Sequence, residues 1–154
     1  MQVSTIDPSA LTAQPTPEQF AAIEAFMNEI EHERGHVIDL STEHFFADDD
    51  RLYGRSVRIP AEHVLLGGAH CQGTLSIAVG DITVQTESGP KRLTGIHVVP
   101  ALAGHKRIGV THADTFWLCV CINPTGGTDV KAIEDALCAD AARLLSRRAN
   151  LELQ

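Results

Sequence analysis

Between Leu52 and Ile122, apolar residues return at every second position in short runs, and each run is cut by glycine, proline or an acidic turn. This is the strongest constraint on the chain. A strand turns alternate side chains to opposite faces, so a period of two sorts apolar from polar only in a sheet. LYGRSVRI carries Leu52, Val57 and Ile59 and ends at Pro60; TLSIAV alternates Leu75, Ile77 and Val79 and closes on Gly80-Asp81. ITVQT alternates Ile82 and Val84 before Ser88-Gly89-Pro90, and GIHVVP, KRIGVT and TFWLCVCI complete the series. About eight short strands at this spacing predict a mainly β sandwich or barrel.

A different period brackets this region. Thr16-Pro17-Glu18-Gln19 reads as a helix start, with threonine as N-cap and proline at the first position. Phe20, Ile23, Met27 and Ile30 then form one apolar stripe, and Gly35 suits the stop, so a helix is expected over 16–34. Residues 1–15 are polar and aperiodic and are expected to form a flexible N-terminal arm, which can be disordered or can order by docking on a neighbouring subunit. After Asn123-Pro124-Thr125-Gly126-Gly127, Thr128 or Asp129 can cap a second helix of about 128–147, with Val130, Ile133, Leu137, Ala141 and Leu144 as its stripe. The chain of 154 residues is expected to be one domain over 16–154, with the barrel at about 43–123.

Charge and composition exclude several partners. A formal charge of −8 argues against nucleic acid and anionic membrane surfaces, both of which need clustered Lys and Arg. Arg147-Arg148 suits the end of a helix better than a phosphate patch. TFWLCVCI is too short to cross a bilayer and the first residues do not resemble a signal peptide, so a cytoplasmic location is expected. Cys119 and Cys121 share a strand face and are poorly placed to pair, and Cys71 and Cys138 sit in loop-like and helical segments. Free thiols are therefore expected.

His32-Glu33-Arg34-Gly35-His36 spells the two-histidine zinc motif of metalloproteases. Its context is wrong for that chemistry. The motif ends a short helix with no strand before it to border a substrate, and Asp39 and Thr42 stand where the extended motif needs a glycine and a third ligand. We read it as a coincidence of composition.

The segments EHFFADD, LYGRSVRIPAEHVLLGGAH, VGDITVQTESG, HKRIGVTHADTFW and TDVKAIEDAL, in this order over roughly residues 43 to 137, carry a resemblance. The region resembles a cupin, the double-stranded β-helix or jelly-roll barrel, and more narrowly the small cupin-like proteins of tailed phages and prophages. The resemblance implies a jelly-roll barrel between one N-terminal and one C-terminal α-helix. It also implies a homo-oligomer, since cupins associate through barrel edges and arms. A non-enzymatic structural or assembly role follows, with other phage structural proteins as partners and a place in the host cytoplasm or the virion.

The same resemblance exposes a broken metal motif. Anchoring the first cupin motif on Gly80 puts Gly73 at the carboxylate position and leaves His70 nearby; anchoring the second on Gly104 puts Arg107 where a metal histidine belongs. A guanidinium stays protonated and does not ligate a divalent ion. No cofactor is therefore expected in the main reading. The alternative is a small metalloprotein, enzyme or sensor, with zinc or another divalent ion on a non-standard set of His70, His112 and Cys121, with His63 or His97 as fourth ligand. A second alternative is a metal-free barrel binding a sugar-like or acidic ligand at Arg107 and Trp117. His112 and Asp114 would share a strand face and invite an acid–base role, or else Asp114 makes a local turn bond.

Overall fold

The computed structural model describes residues 4–5, 18, 21–22, 25, 40, 42–86, 89–139 and 141. The chain is mainly β, as its alternation predicts. The strands are β1 (Ser4–Thr5), β2 (Thr42–Ala47), β3 (Leu52–Ile59), β4 (Val64–Leu66), β5 (Thr74–Thr86), β6 (Gly89–Ala101) and β7 (Ile108–Ile122), followed by helix α1 (Val130–Leu137). The sheet order is β1-β6-β5-β7-β3-β2, with β4 continuing beside β7 where β3 leaves off. All pairings are antiparallel except that of β1 with β6. This arrangement matches the expected jelly-roll class.

Strands are fewer and longer than the punctuation predicts. TLSIAV and ITVQT are one strand, β5, and KRIGVT and TFWLCVCI merge into β7. The Gly80-Asp81 break is a β-bulge, where the register of β5 on β7 shifts between Val79 and Ile82. A bulge bends and twists a strand without ending it, so β5 and β7 pass from one half of the barrel into the other. Gly80 makes the bend possible: its φ is +145°, and a Cβ there would lie 2.6 Å from Thr115 Oγ1 and 2.8 Å from the Asp114 carbonyl.

Cross-strand register sorts the faces. The inner face carries Phe46, Tyr53 and Cys121, then His44, Arg55, Cys119, Ser76 and Val99, then Val57, Trp117, Ala78 and His97. One half of the interior is apolar, with Ile82, Val84, Leu93 and Val99 buried together and Trp117 packed against them. The other half is closed by α1, whose Ile133 and Leu137 pack with Tyr53, Cys121, Cys138 and Ala141. Burying each of these large side chains contributes about 2 kcal/mol.

Asp129, of the two candidate caps, starts α1: its side chain accepts from the backbone N–H groups of Lys131 and Ala132. The helix is shorter than the expected 128–147. At Cys138 the backbone turns extended and bridges to His70, while Cys71 N–H donates to the Leu137 carbonyl and Ala139 N–H to that of Ala69. Pairing with 69–71 ends the helix where its stripe alone predicts continuation. Ala141 still buries, and Leu144 lies outside the described residues.

Towards the N-terminus, Glu18, Ala21, Ala22 and Ala25 are helical and exposed, at the spacing of one helix face. The expected stripe Phe20, Ile23, Met27 and Ile30, most of the arm, and His32, Glu33 and His36 lie outside the described residues.

Candidate functional site

The polar half of the interior gathers most of the chemistry. Tyr53, Arg55, His70, Cys119, Cys121, Glu134, Leu137 and Cys138 line a cavity of about 20 Å³, room for a water molecule or two. β3 delivers Tyr53 and Arg55, β7 delivers Cys119 and Cys121, and α1 lowers Glu134 onto them. Glu134 is 3% exposed, and its Oε1 lies 3.6 Å from Arg55 NH1. An apolar helix face alone would not specify this acid. It is held over the barrel because a buried carboxylate needs a cation.

Next to this pair, Tyr53 Oη and His44 Nδ1 are hydrogen-bonded at 2.7 Å, and His44 Nε2 and Thr42 Oγ1 at 3.4 Å. Burial, with the nearby Arg55, lowers the His44 pKa below its usual value, while Glu134 opposes the shift. Burial likewise pushes the Tyr53 phenol upward.

Cys119 stands at the centre. Its Sγ is 3.8 Å from His70 Nδ1. Burial raises its thiol pKa, and the hydroxyls of Thr74 and Ser76 and the charges of Arg55 and Arg107 work against that rise. Arg107, in the turn before β7, donates from NH2 to the Pro100 carbonyl at 2.8 Å. Burial lowers its pKa, offset by Cys119.

The residues proposed from sequence as metal ligands divide between two faces. His70 and Cys121 line the same cavity. His112 is exposed on β7 and bonds Thr83 Oγ1 at 2.7 Å. His63 turns its Nδ1 to the Ala61 carbonyl at 2.7 Å. His97, the alternative fourth ligand, donates from Nε2 to the Thr94 carbonyl at 2.9 Å, and its buried Nδ1 has no partner. Among the described residues, no group of three or more His, Cys, Asp or Glu is arranged to hold a metal ion. Asp114 Oδ1 accepts from Ala61 N–H at 3.0 Å, a backbone group 53 positions away and not the local turn bond expected from sequence.

Of the two proposed ligand residues, Arg107 is bonded to the Pro100 carbonyl, whereas Trp117 packs on the apolar cluster of the other half. Sequence reasoning missed Cys119 and Glu134 as members of this site. Only the strand parity that puts Cys119 beside Cys121 hinted at the first. All four cysteines are free, with Cys121 and Cys138 buried and Cys71 exposed.

No known family profile matches the sequence, and no curated protein matches it. Solved structures similar to the chain include cupin-domain proteins. One is a cupin-2 domain protein from Shewanella frigidimarina, 10% identical, covering 63% of this chain and 91% of its own, with a TM-score of 0.43. A cupin-2 barrel protein from Salinispora arenicola is 12% identical, covering 57% of this chain and 81% of its own, with a TM-score of 0.45. Ectoine synthase from P. lautus, an enzyme, is 11% identical over 55% of this chain and 64% of its own, with a TM-score of 0.46.

Proposed function

We propose that the protein is a non-enzymatic, cupin-like module that works by self-association, as a structural or assembly component of the phage and prophage kind that its sequence resembles. The observation that carries this reading is the outer face of the sheet. Phe45, Val120, Leu75 and Pro100 form one cross-strand row; Leu118, Ile77 and Val98 a second; Phe116, Val79 and Ile96 a third. Phe45 and Leu75 are each 47% exposed and Val79 is 38% exposed. A contiguous apolar face of this kind on a folded chain marks a surface made for contact. Its occupant in this reading is a second copy of the chain.

Two features of the interior support a role without catalysis. Its polar half is occupied by the chain's own ion pair and hydrogen bonds, and the cavity beside them holds little more than water. Its histidines face different directions. The module is thus read as a scaffold without a resident metal, and no helix among the described residues is long and apolar enough to cross a membrane.

The test is the mass of the full chain in solution by light scattering, beside a Leu75→Glu/Val79→Glu variant. The native chain runs as a closed oligomer and the variant as a folded monomer. A monomeric native chain, or an unchanged mass in the variant, overturns the reading. Elemental analysis of protein purified without a metal-affinity tag checks the scaffold role, and about one metal ion per chain would return the argument to His70 and Cys121.

A further inference from the structure

We propose that β2 is a docking edge, on which the β2 of a second copy pairs antiparallel about a twofold axis at Phe45. The pairing rests on the assembly reading and gives it a specific contact.

β2 closes one end of the sheet and pairs with β3 alone among the described residues. In an antiparallel pair, alternate residues of an edge strand turn both N–H and C=O away from their neighbour. Edges of this kind are ordinarily guarded by lysine, proline, a bulge or a covering element. Thr42–Ala47 carries neither lysine nor proline, and its register on β3 runs from Thr42↔Val57 to Ala47↔Leu52 without a shift. Half-buried and exposed side chains alternate along it, and Phe45 stands 47% exposed on the outer face. An open ladder beside an exposed aromatic ring is a surface that accepts another strand.

Charge decides the direction. Asp48, Asp49 and Asp50 follow β2 directly, all with left-handed backbone, at φ 56°, 52° and 63°. A parallel partner would lay its own three aspartates beside these. An antiparallel partner keeps the two acidic turns at opposite ends of the ladder, about 20 Å apart and beyond the reach of screened repulsion.

Side-chain type decides the register. An axis at Phe45 pairs it with Phe45 of the second copy, His44 with Phe46, and Glu43 with Ala47. All residues from 43 to 47 are then matched, aromatic rings meet and no like charges face each other. Moving the axis to His44 sets two imidazoles together and puts Phe45 against Glu43. Pairing at Phe45 also lays the two outer faces side by side, so the row of Phe45, Val120 and Leu75 continues into the second copy. So short a ladder is too little to hold two copies alone, and burial of the face supplies the rest.

Cysteine cross-linking tests the pairing in the full-length chain, with Cys71→Ser as background because Cys71 is exposed. Directly opposed residues of an antiparallel pair bring their Cα atoms within disulfide range. With oxidised glutathione, Phe45→Cys gives a dimer band on a non-reducing gel. Glu43→Cys and Ala47→Cys stay uncross-linked alone and form the band when the two are co-expressed. Leu102→Cys, 62% exposed and away from the edge, gives no band. A native chain that is monomeric by light scattering overturns the assembly reading and this contact with it. A native oligomer in which Phe45→Cys stays uncross-linked overturns the pairing and leaves the face. So does a co-expressed Glu43→Cys and Ala47→Cys pair that cross-links no better than either alone.

Discussion

At the scale of single residues, position rather than composition decides what a side chain costs. Gly80 and Gly95 pair across β5 and β6, and both have positive φ, +145° and +88°. A Cβ on Gly95 meets nothing within 4 Å, whereas one on Gly80 collides with Thr115 and the Asp114 backbone. Gly95→Ala is expected to cost about 1 kcal/mol from backbone strain alone, and Gly80→Ala about 3 kcal/mol, read by urea denaturation. Equal losses would mean that the bulge is not a tight point. His44 sets a pH dependence. Its folded pKa lies below the unfolded value of 6.5, so on acidification the unfolded chain takes up the proton first. Stability is full above that value and falls as the pH drops below it, levelling only once the folded pKa is passed. His44→Gln should flatten the part of the stability–pH curve just below neutrality, and an unchanged slope there would assign the loss to other groups.

At the scale of elements, α1 is held by more than its apolar face. Ile133 and Leu137 supply the burial, but Glu134 fixes which turn of the helix sits over Arg55. Removing one partner leaves a buried charge alone, so Glu134→Ala is expected to destabilise by about 3 kcal/mol. Replacing both together, Glu134→Leu with Arg55→Met, should stay within about 1 kcal/mol of the native chain. A double variant as unstable as the single one would mean that Glu134 acts through other contacts. The helix stripe was legible from its spacing. Its end was not, because residues 137–139 turn to pair with 69–71, and no local signal announces a partner almost seventy residues away.

At the scale of the whole molecule, order in sequence and order in the sheet pull against each other. β1 and β2 are consecutive in the chain yet lie at opposite edges of the sheet. β1 pairs Ser4 with His97 and Thr5 with Val98, so the first residues meet the barrel as an added strand. Strand addition supplies backbone hydrogen bonds that another copy can also receive, so under the proposed assembly reading the arm would be a second contributor. Deleting residues 1–15 is expected to shift the oligomer towards monomer without unfolding the barrel, measured by light scattering together with circular dichroism. A deletion variant of unchanged mass would leave assembly to the apolar face alone.

The sequence by itself determined the class of the fold, because alternation over β3, β5 and β7 is a local property that no helix can satisfy. It also determined that a helix starts at Thr128 or Asp129 and that Ile133, Leu137 and Ala141 share its buried stripe, which are matters of residue type at short spacing. Tertiary structure alone decided strand number, since Gly80-Asp81 bends a strand that its turn residues seem to end. It alone decided which histidines meet. His70 and His112 look equivalent in a linear reading, but strand parity turns His112 to solvent, while the 69–71 pairing brings His70 to Cys119. The interior cluster of Arg55, Cys119 and Glu134 joins residues up to 79 positions apart through the register of two strands and a helix. Long-range register is set by the summed burial of all the strands, and no single stretch of sequence contains it.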